Sequence, residues 1–194
     1  AIEEFTSVTC DKSAGFLAPG DSPVHRKYAA DREVQMIHLA VDVTPDFTRR
    51  TVAGSATLRF KAIAKPVREL KFDAVALQVH SVTSTAKIQG YQATDEQLIV
   101  TFAEPLAPDQ EASVTVTYSA EPTAGIYFRT PEMGYKPGDT HLFSQGEEIE
   151  ARHWFPCLDS PNHRFTSEVT CRVPDGMTAI SNGRLVSETR DPAT

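Results

Sequence analysis

The stretch "TVAGSATLRFKA", residues 51–62, decides the fold. In it Val52, Gly54, Ala56, Leu58 and Phe60 alternate with Ala53, Ser55, Thr57, Arg59 and Lys61. Successive side chains of a strand point to opposite faces, so this period of two predicts a strand with one face in a core and the other in water. The even-numbered side is the buried one, because a slip of one residue would turn the whole apolar set outward. The same alternation returns on both sides, in Leu39, Val41 and Val43, in Leu98, Val100 and Phe102, in Ala112, Val114, Val116 and Tyr118, and in Val169, Cys171 and Val173. Turn-forming groups separate these runs: "TPDF" at 44–47, "APDQ" at 107–110, "KPGD" at 136–139, "VPDG" at 173–176 and "SNG" at 181–183. No segment sustains a helical period. The expected fold is all-β: an antiparallel, curved, saddle-like sheet with a smaller β-sandwich, and Val52, Leu58, Phe60, Val114, Val116, Phe155 and Cys171 in the core.

The composition, 40% hydrophobic and 23% charged over 194 residues, is that of an ordinary soluble globular chain able to build a proper core. A net charge of -7 without any Lys/Arg cluster leaves no electrostatic footprint for nucleic acid or an anionic membrane, and favours a cationic guest. No apolar run approaches the ~18 residues of a membrane span. Cys10, Cys157 and Cys171 are too few and of the wrong parity for a disulfide framework, though one bridge with a thiol left over is compatible with them. Residues 1–32, mixed and rich in small side chains, read as a lead-in segment, and 33–194 as one β-domain. Residue 1 is Ala, and "SETRDPAT" at the end carries neither helix cap nor closing strand, so the chain is expected to be a piece of a longer one.

Chemistry concentrates in "FSQGEEIEARHWFPCLDSP", residues 143–161. Glu147, Glu148 and Glu150 directly precede the apolar turn His153-Trp154-Phe155-Pro156-Cys157, and crowded like charges beside apolar groups need solvent, a positive partner or a ligand. Glu148 and Arg152 stand four apart, so one short helical turn near 147–153 would pair them, and Pro156 would end it. In that purely structural case Trp154, Phe155 and Cys157 plug the core, and Asp159 bonds backbone in a turn before Pro161. His153, Cys157 and His163 have the ligand types for zinc, but the spacing H-x3-C-x5-H matches no recurrent site. Cys157 as a nucleophile is disfavoured, since burial in "FPCL" would raise its pKa. The remaining role for the cluster is to anchor a cationic group.

Residues 145–161 resemble the signature Q-x-E-A-x-x-A-R-x-x-F-P-C-x-D-x-P of the N-terminal domain of zinc aminopeptidases of the aminopeptidase N family, relatives of the leukotriene hydrolases. Gln145, Glu147, Ala151, Arg152, Phe155, Pro156, Cys157, Asp159 and Pro161 fall on it without a gap. The resemblance extends to "LAVDVTPDFTRRTVAGSATLRFKA" at 39–62, similar to the family's opening hairpin, to "LKFDAVALQVHSV" at 70–82, similar to its next strands, and to "FTSEVTCRVPDGMTAISNGRLVSE" at 165–188, similar to the strands after the signature.

The resemblance implies that a separate catalytic domain follows in cis, with a GxMEN loop and an HExxH helix that holds zinc. Neither motif occurs here: His25, His38, His80, His141, His153 and His163 include no pair four apart, so the fragment alone is expected to bind no metal and to be inactive. In the family the signature Glu binds the free α-ammonium of a peptide substrate and the Gln lines the pocket for the first side chain. Carried over, these substrate-binding roles fall on Glu147 and Gln145. The family's Ala after the anchor is Glu148 here, a second carboxylate that would favour basic side chains or take over the anchoring itself. Arg152 and Asp159 are expected to tie the turn to neighbouring backbone or to each other. A carboxylate about 4 Å from an ammonium gains up to ~4 kcal/mol at an effective dielectric near 20, before desolvation. The alternative, of a different class, is a non-catalytic β-sandwich interaction module.

Overall fold

The computed structural model describes residues 32–190. Of the lead-in assigned to residues 1–32, all but Arg32 lies outside the described residues. Ten strands follow: β1 (Val34–Asp46), β2 (Thr51–Ala62), β3 (Val67–Asp73), β4 (Gln78–Ser84), β5 (Ile88–Ala93), β6 (Gln97–Leu106), β7 (Glu111–Ala120), β8 (Ile126–Arg129), β9 (His141–Ser144) and β10 (Thr166–Cys171). They form a five-stranded sheet in the order β10-β1-β2-β7-β4, a three-stranded sheet β3-β6-β5 and a two-stranded ribbon β8-β9.

The strand foreseen at 51–62 is the middle of the large sheet, with Val52, Ala56, Leu58 and Phe60 all buried and Arg59 exposed. It pairs antiparallel with β1 and β7, setting Leu58 opposite Leu39 and Val114, so the apolar faces of three strands line up. Phe60 closes the gap to the smaller sheet: its ring lies 6.2 Å from Phe72 on β3 and 6.5 Å from Phe102 on β6, in tilted and edge-on contacts that suit aromatic quadrupoles. Burying one such side chain contributes about 1.5 to 3 kcal/mol, which is why the sandwich forms around this row. On the wet side Thr57 and Thr115 hydroxyls bond at 2.9 Å. The β1–β2 turn is closed by Asp46, whose Oδ1 accepts the N–H groups of Thr48 and Arg49 at 2.9 Å.

Three expectations need correction. β10 runs parallel to β1, not antiparallel. It reaches β1 only after the rest of the domain has been laid down, so no hairpin dictates its direction. Cys171 is only half-buried, packed against the margin of the core, and Val169 is 47% exposed, because β10 is an edge strand with β1 as its one partner among the described residues. Past β10, residues 172–190 contain no strand, and Ile180, Leu185 and Val186 are exposed, although this stretch resembles strands. An alternating pattern becomes a strand only where a neighbour accepts its backbone groups. Among the described residues no helix is long and apolar enough to cross a membrane.

Candidate functional site

The β8-β9 ribbon sorts its side chains by the same period of two. Ile126, Phe128 and Leu142 turn to the core, while Tyr127, Arg129 and Phe143 share the outer face, where the Tyr127 and Phe143 rings stack at 5.4 Å. One further ladder bond, from the Gln145 N–H to the Gly125 carbonyl at 2.9 Å, carries the register past the strand ends and fixes where the acidic loop begins. Gly125 has φ +76°, and a Cβ there would collide with the Glu150 carbonyl and crowd the Trp154 ring. Only glycine lets the two backbones meet this closely.

From Gln145 the chain makes a turn in which the Glu150 N–H reaches the Gly146 carbonyl at 3.0 Å, then a 3-10 turn over Ala151–His153. The helical turn expected near 147–153 is thus present but too short to pair Glu148 with Arg152. Arg152 is drawn instead to two aspartates. Its Nε and its backbone N–H both donate to Asp159 Oδ2 at 3.1 Å, and its Nη1 lies 3.4 Å from Asp73 Oδ1. Asp73, the last residue of β3, also accepts the Asp159 N–H at 3.0 Å and exchanges two backbone bonds with Cys157. The signature segment is therefore strapped to the small sheet at one end and to the ribbon at the other. Trp154 and Phe155 meet edge-on at 4.5 Å, and Phe155 and Cys157 are buried. The expected mutual tie of Arg152 and Asp159 is present, with Asp73 added to it.

Between these two anchorages Gln145, Glu147 and Glu148 are exposed, and the Glu147–Glu148 peptide is cis. Glu150 has His153 as neighbour at 3.7 Å, whereas no described cation pairs with Glu147 or Glu148. The result is two carboxylates on a short, clamped loop, able to receive a cation. The Cys157 thiol is driven well up by burial and then by the nearby carboxylates of Asp159 and Asp73, so it is protonated and no nucleophile. Its neighbour, the buried Tyr118 phenol, is raised by the same desolvation and its hydroxyl has no partner. Among the described residues no three His, Cys, Asp or Glu side chains come together to hold a metal, so His153, Cys157 and His163 do not fit a zinc site.

Residues 26–193 match the Peptidase M1 N-terminal domain. The chain belongs to this family. Mouse Aminopeptidase B is 24% identical to it over 196 residues, which is 85% of this chain and 30% of that protein. The Leukotriene A-4 hydrolase homolog of Botryotinia fuckeliana is 29% identical over 147 residues, 71% of this chain and 23% of that one. Among solved structures, a mutant M1 zinc metallopeptidase from Deinococcus radiodurans bound to a Tyr-Ser-Ala substrate superposes with a TM-score of 0.69 at 22% identity, over 83% of this chain and 37% of that one. The chain thus spans about a third or less of the length of these relatives. It is an M1 N-terminal β-domain of the kind that zinc aminopeptidases carry.

Two residues of this M1 domain escaped the sequence reading. Asp73 lies 79 or more positions before the signature residues it holds, and nothing local marks it. Gly125 left a signal, a glycine just ahead of the apolar pair Ile126 and Tyr127, and its positive φ explains it.

Proposed function

We propose that this domain supplies the N-terminus anchor of a zinc-dependent aminopeptidase, with Glu147 binding the α-ammonium of a peptide substrate, Gln145 lining the pocket for the first side chain and Glu148 tuning it. The observation that carries this role is the pairing of rigidity with unmatched charge: Glu147 and Glu148 are exposed and without a described cationic partner, on a loop clamped by Gly125 at one end and by the Asp73-Arg152-Asp159 cluster at the other. An exopeptidase must recognise a free amine, and a fixed carboxylate sets which peptide bond reaches the catalytic group. Zinc, supplied by a catalytic domain in cis, would polarise the scissile carbonyl. This chain's described residues contribute no ligand set to it. They bind and orient.

The test is peptide cleavage by the intact protein that carries this domain. Glu147→Gln is expected to lower kcat/KM by roughly ten- to a hundredfold, the worth of one charge-assisted contact, while zinc content and folding stay as in the wild type. Unchanged cleavage would remove the assignment.

A further inference from the structure

Arg129 is a cation that the anchoring role does not use. Its guanidinium lies 5.2 Å from the rings of Phe143 and Tyr135 and 5.9 Å from that of Tyr127, with Nη1 donating to the Phe128 carbonyl at 3.0 Å. Rings around it hold the planar group in place and keep part of its water away, which strengthens its attraction for an anion. Four N–H donors remain, and among the described residues no carboxylate pairs with them. In a chain of net charge -7 that is an unusual place to leave a cation unmatched.

Arg129 also lines a cavity of about 220 Å³, shared with Arg50, Glu121, Thr123, Tyr127 and Met133. Arg50 sits there too, with a left-handed backbone, φ 57°, so two cations and the single carboxylate of Glu121 face this space. The space suits one carboxylate with a few atoms behind it. Tyr127, Arg129, Phe143 and Gln145 alternate onto one face of the β8-β9 ribbon, so Arg129 and the rings beside it share that face with the start of the anchoring loop, while the cavity is lined as well by Ile126 and Phe128 of the inward face. Arg129 stands opposite His141, four positions before Gln145, so the ladder sets it ~14 Å from the residue assigned to the first side-chain pocket, with the anchor Glu147 two positions further on. An extended peptide covers ~13 to 14 Å in four residues.

We propose that Arg129 and its aromatic surround form a carboxylate-binding subsite for the substrate peptide, engaging a carboxylate carried three to four residues from its N-terminus. This rests on the proposed function for placing that N-terminus at Glu147. The chemistry is shared by an acidic side chain and by the C-terminus of a short peptide.

Three peptides of common first and second residues separate the sources: a C-amidated hexapeptide with Gln at position 4, the same with Glu at position 4, and a free-acid tetrapeptide. In the intact protein we expect one or both of the last two to be cleaved with a kcat/KM about ten- to a hundredfold above the first. Arg129→Gln should abolish that preference without changing cleavage of the neutral hexapeptide, and Arg129→Lys, which keeps the charge but not the planar fork, should restore it in part. A wild type with no preference, or an Arg129→Gln variant that keeps the preference or lowers all three substrates alike, overturns the subsite. Glu147→Gln should lower all three alike. If it leaves them unchanged while Arg129→Gln still removes the preference, the anchor fails and the subsite stands.

Discussion

Arg152 donates both its backbone N–H and its Nε–H to a single oxygen, Oδ2 of Asp159, each at 3.1 Å. Asp73 closes the arrangement from the end of β3, close to the Arg152 guanidinium on one oxygen and accepting the Asp159 N–H on the other. Three charged groups, all largely shielded, thereby fix the path of the segment that follows the exposed carboxylates. The Asp159 carboxyl is nevertheless raised, burial outweighing the help of Arg152. Desolvation thus offsets part of what Arg152 contributes to the tie.

Removing one partner is a different matter, because it leaves the others shielded and unpaired. Asp159→Asn should cost about 1.5 to 3 kcal/mol in urea unfolding, the worth of bonds to a charged group. A cost near zero would mean that solvent already satisfies Arg152.

Gly125→Ala combines a positive φ with a collision against the Glu150 carbonyl. It should lose more than ~2 kcal/mol by backbone strain and displacement of the loop. Gly90→Ala is the control, for a Cβ there meets nothing within 4 Å. It should be neutral or stabilising by up to ~1 kcal/mol. Equal effects in thermal denaturation would refute the close approach of the two backbones.

Phe60→Ala takes a fully buried ring from between Phe72 and Phe102. The expected loss is about 3 to 5 kcal/mol. A loss under ~1 kcal/mol would show that the two sheets do not pack through this residue.

His163 has a buried Nδ1 without a partner, and its pKa is lowered by desolvation first and by the Arg32 charge second. Between that lowered value and the ordinary 6.5, the unfolded chain binds more protons than the folded one. Stability from this group is therefore complete above pH 6.5 and is lost as the pH falls through the folded-state pKa. His163→Gln should flatten the acid side of the melting-temperature profile, whereas an unaltered profile would place the ring in water.

Cys157 is buried and its thiol is raised by desolvation, then by Asp159 and Asp73. Iodoacetamide at pH 8 should leave the Cys157 peptide unmodified in the native protein and label it after denaturation, as read by mass spectrometry. Native labelling would show that the signature segment opens.

How far the residues spoke for themselves depended on the range of the interaction. Val52 to Phe60 declared their strand and register because period two is a local property, and the sheet did bury that side. The signature segment was legible as a unit because its residues lie in one run. What could not be read were the contacts made across the chain. Asp73 takes Arg152 away from Glu148, and nothing near position 73 announces it. Cys171 and Val169 alternate as a core strand would, yet a pattern does not say whether a second layer lies over it. The parallel direction of β10 was hidden for the same reason, being set by the domain it returns to.

The central claim is that Glu147 holds the substrate's α-ammonium. The most direct measurement is the ratio of kcat/KM for a free-amine peptide to that for its N-acetylated form, in the wild-type intact protein and in Glu147→Gln. The account predicts a large ratio in the wild type that falls roughly ten- to a hundredfold in the variant, with the slow acetylated substrate little changed and Glu148→Ala mainly altering side-chain preference. A ratio that survives Glu147→Gln, or that collapses instead in Glu148→Ala, would contradict it.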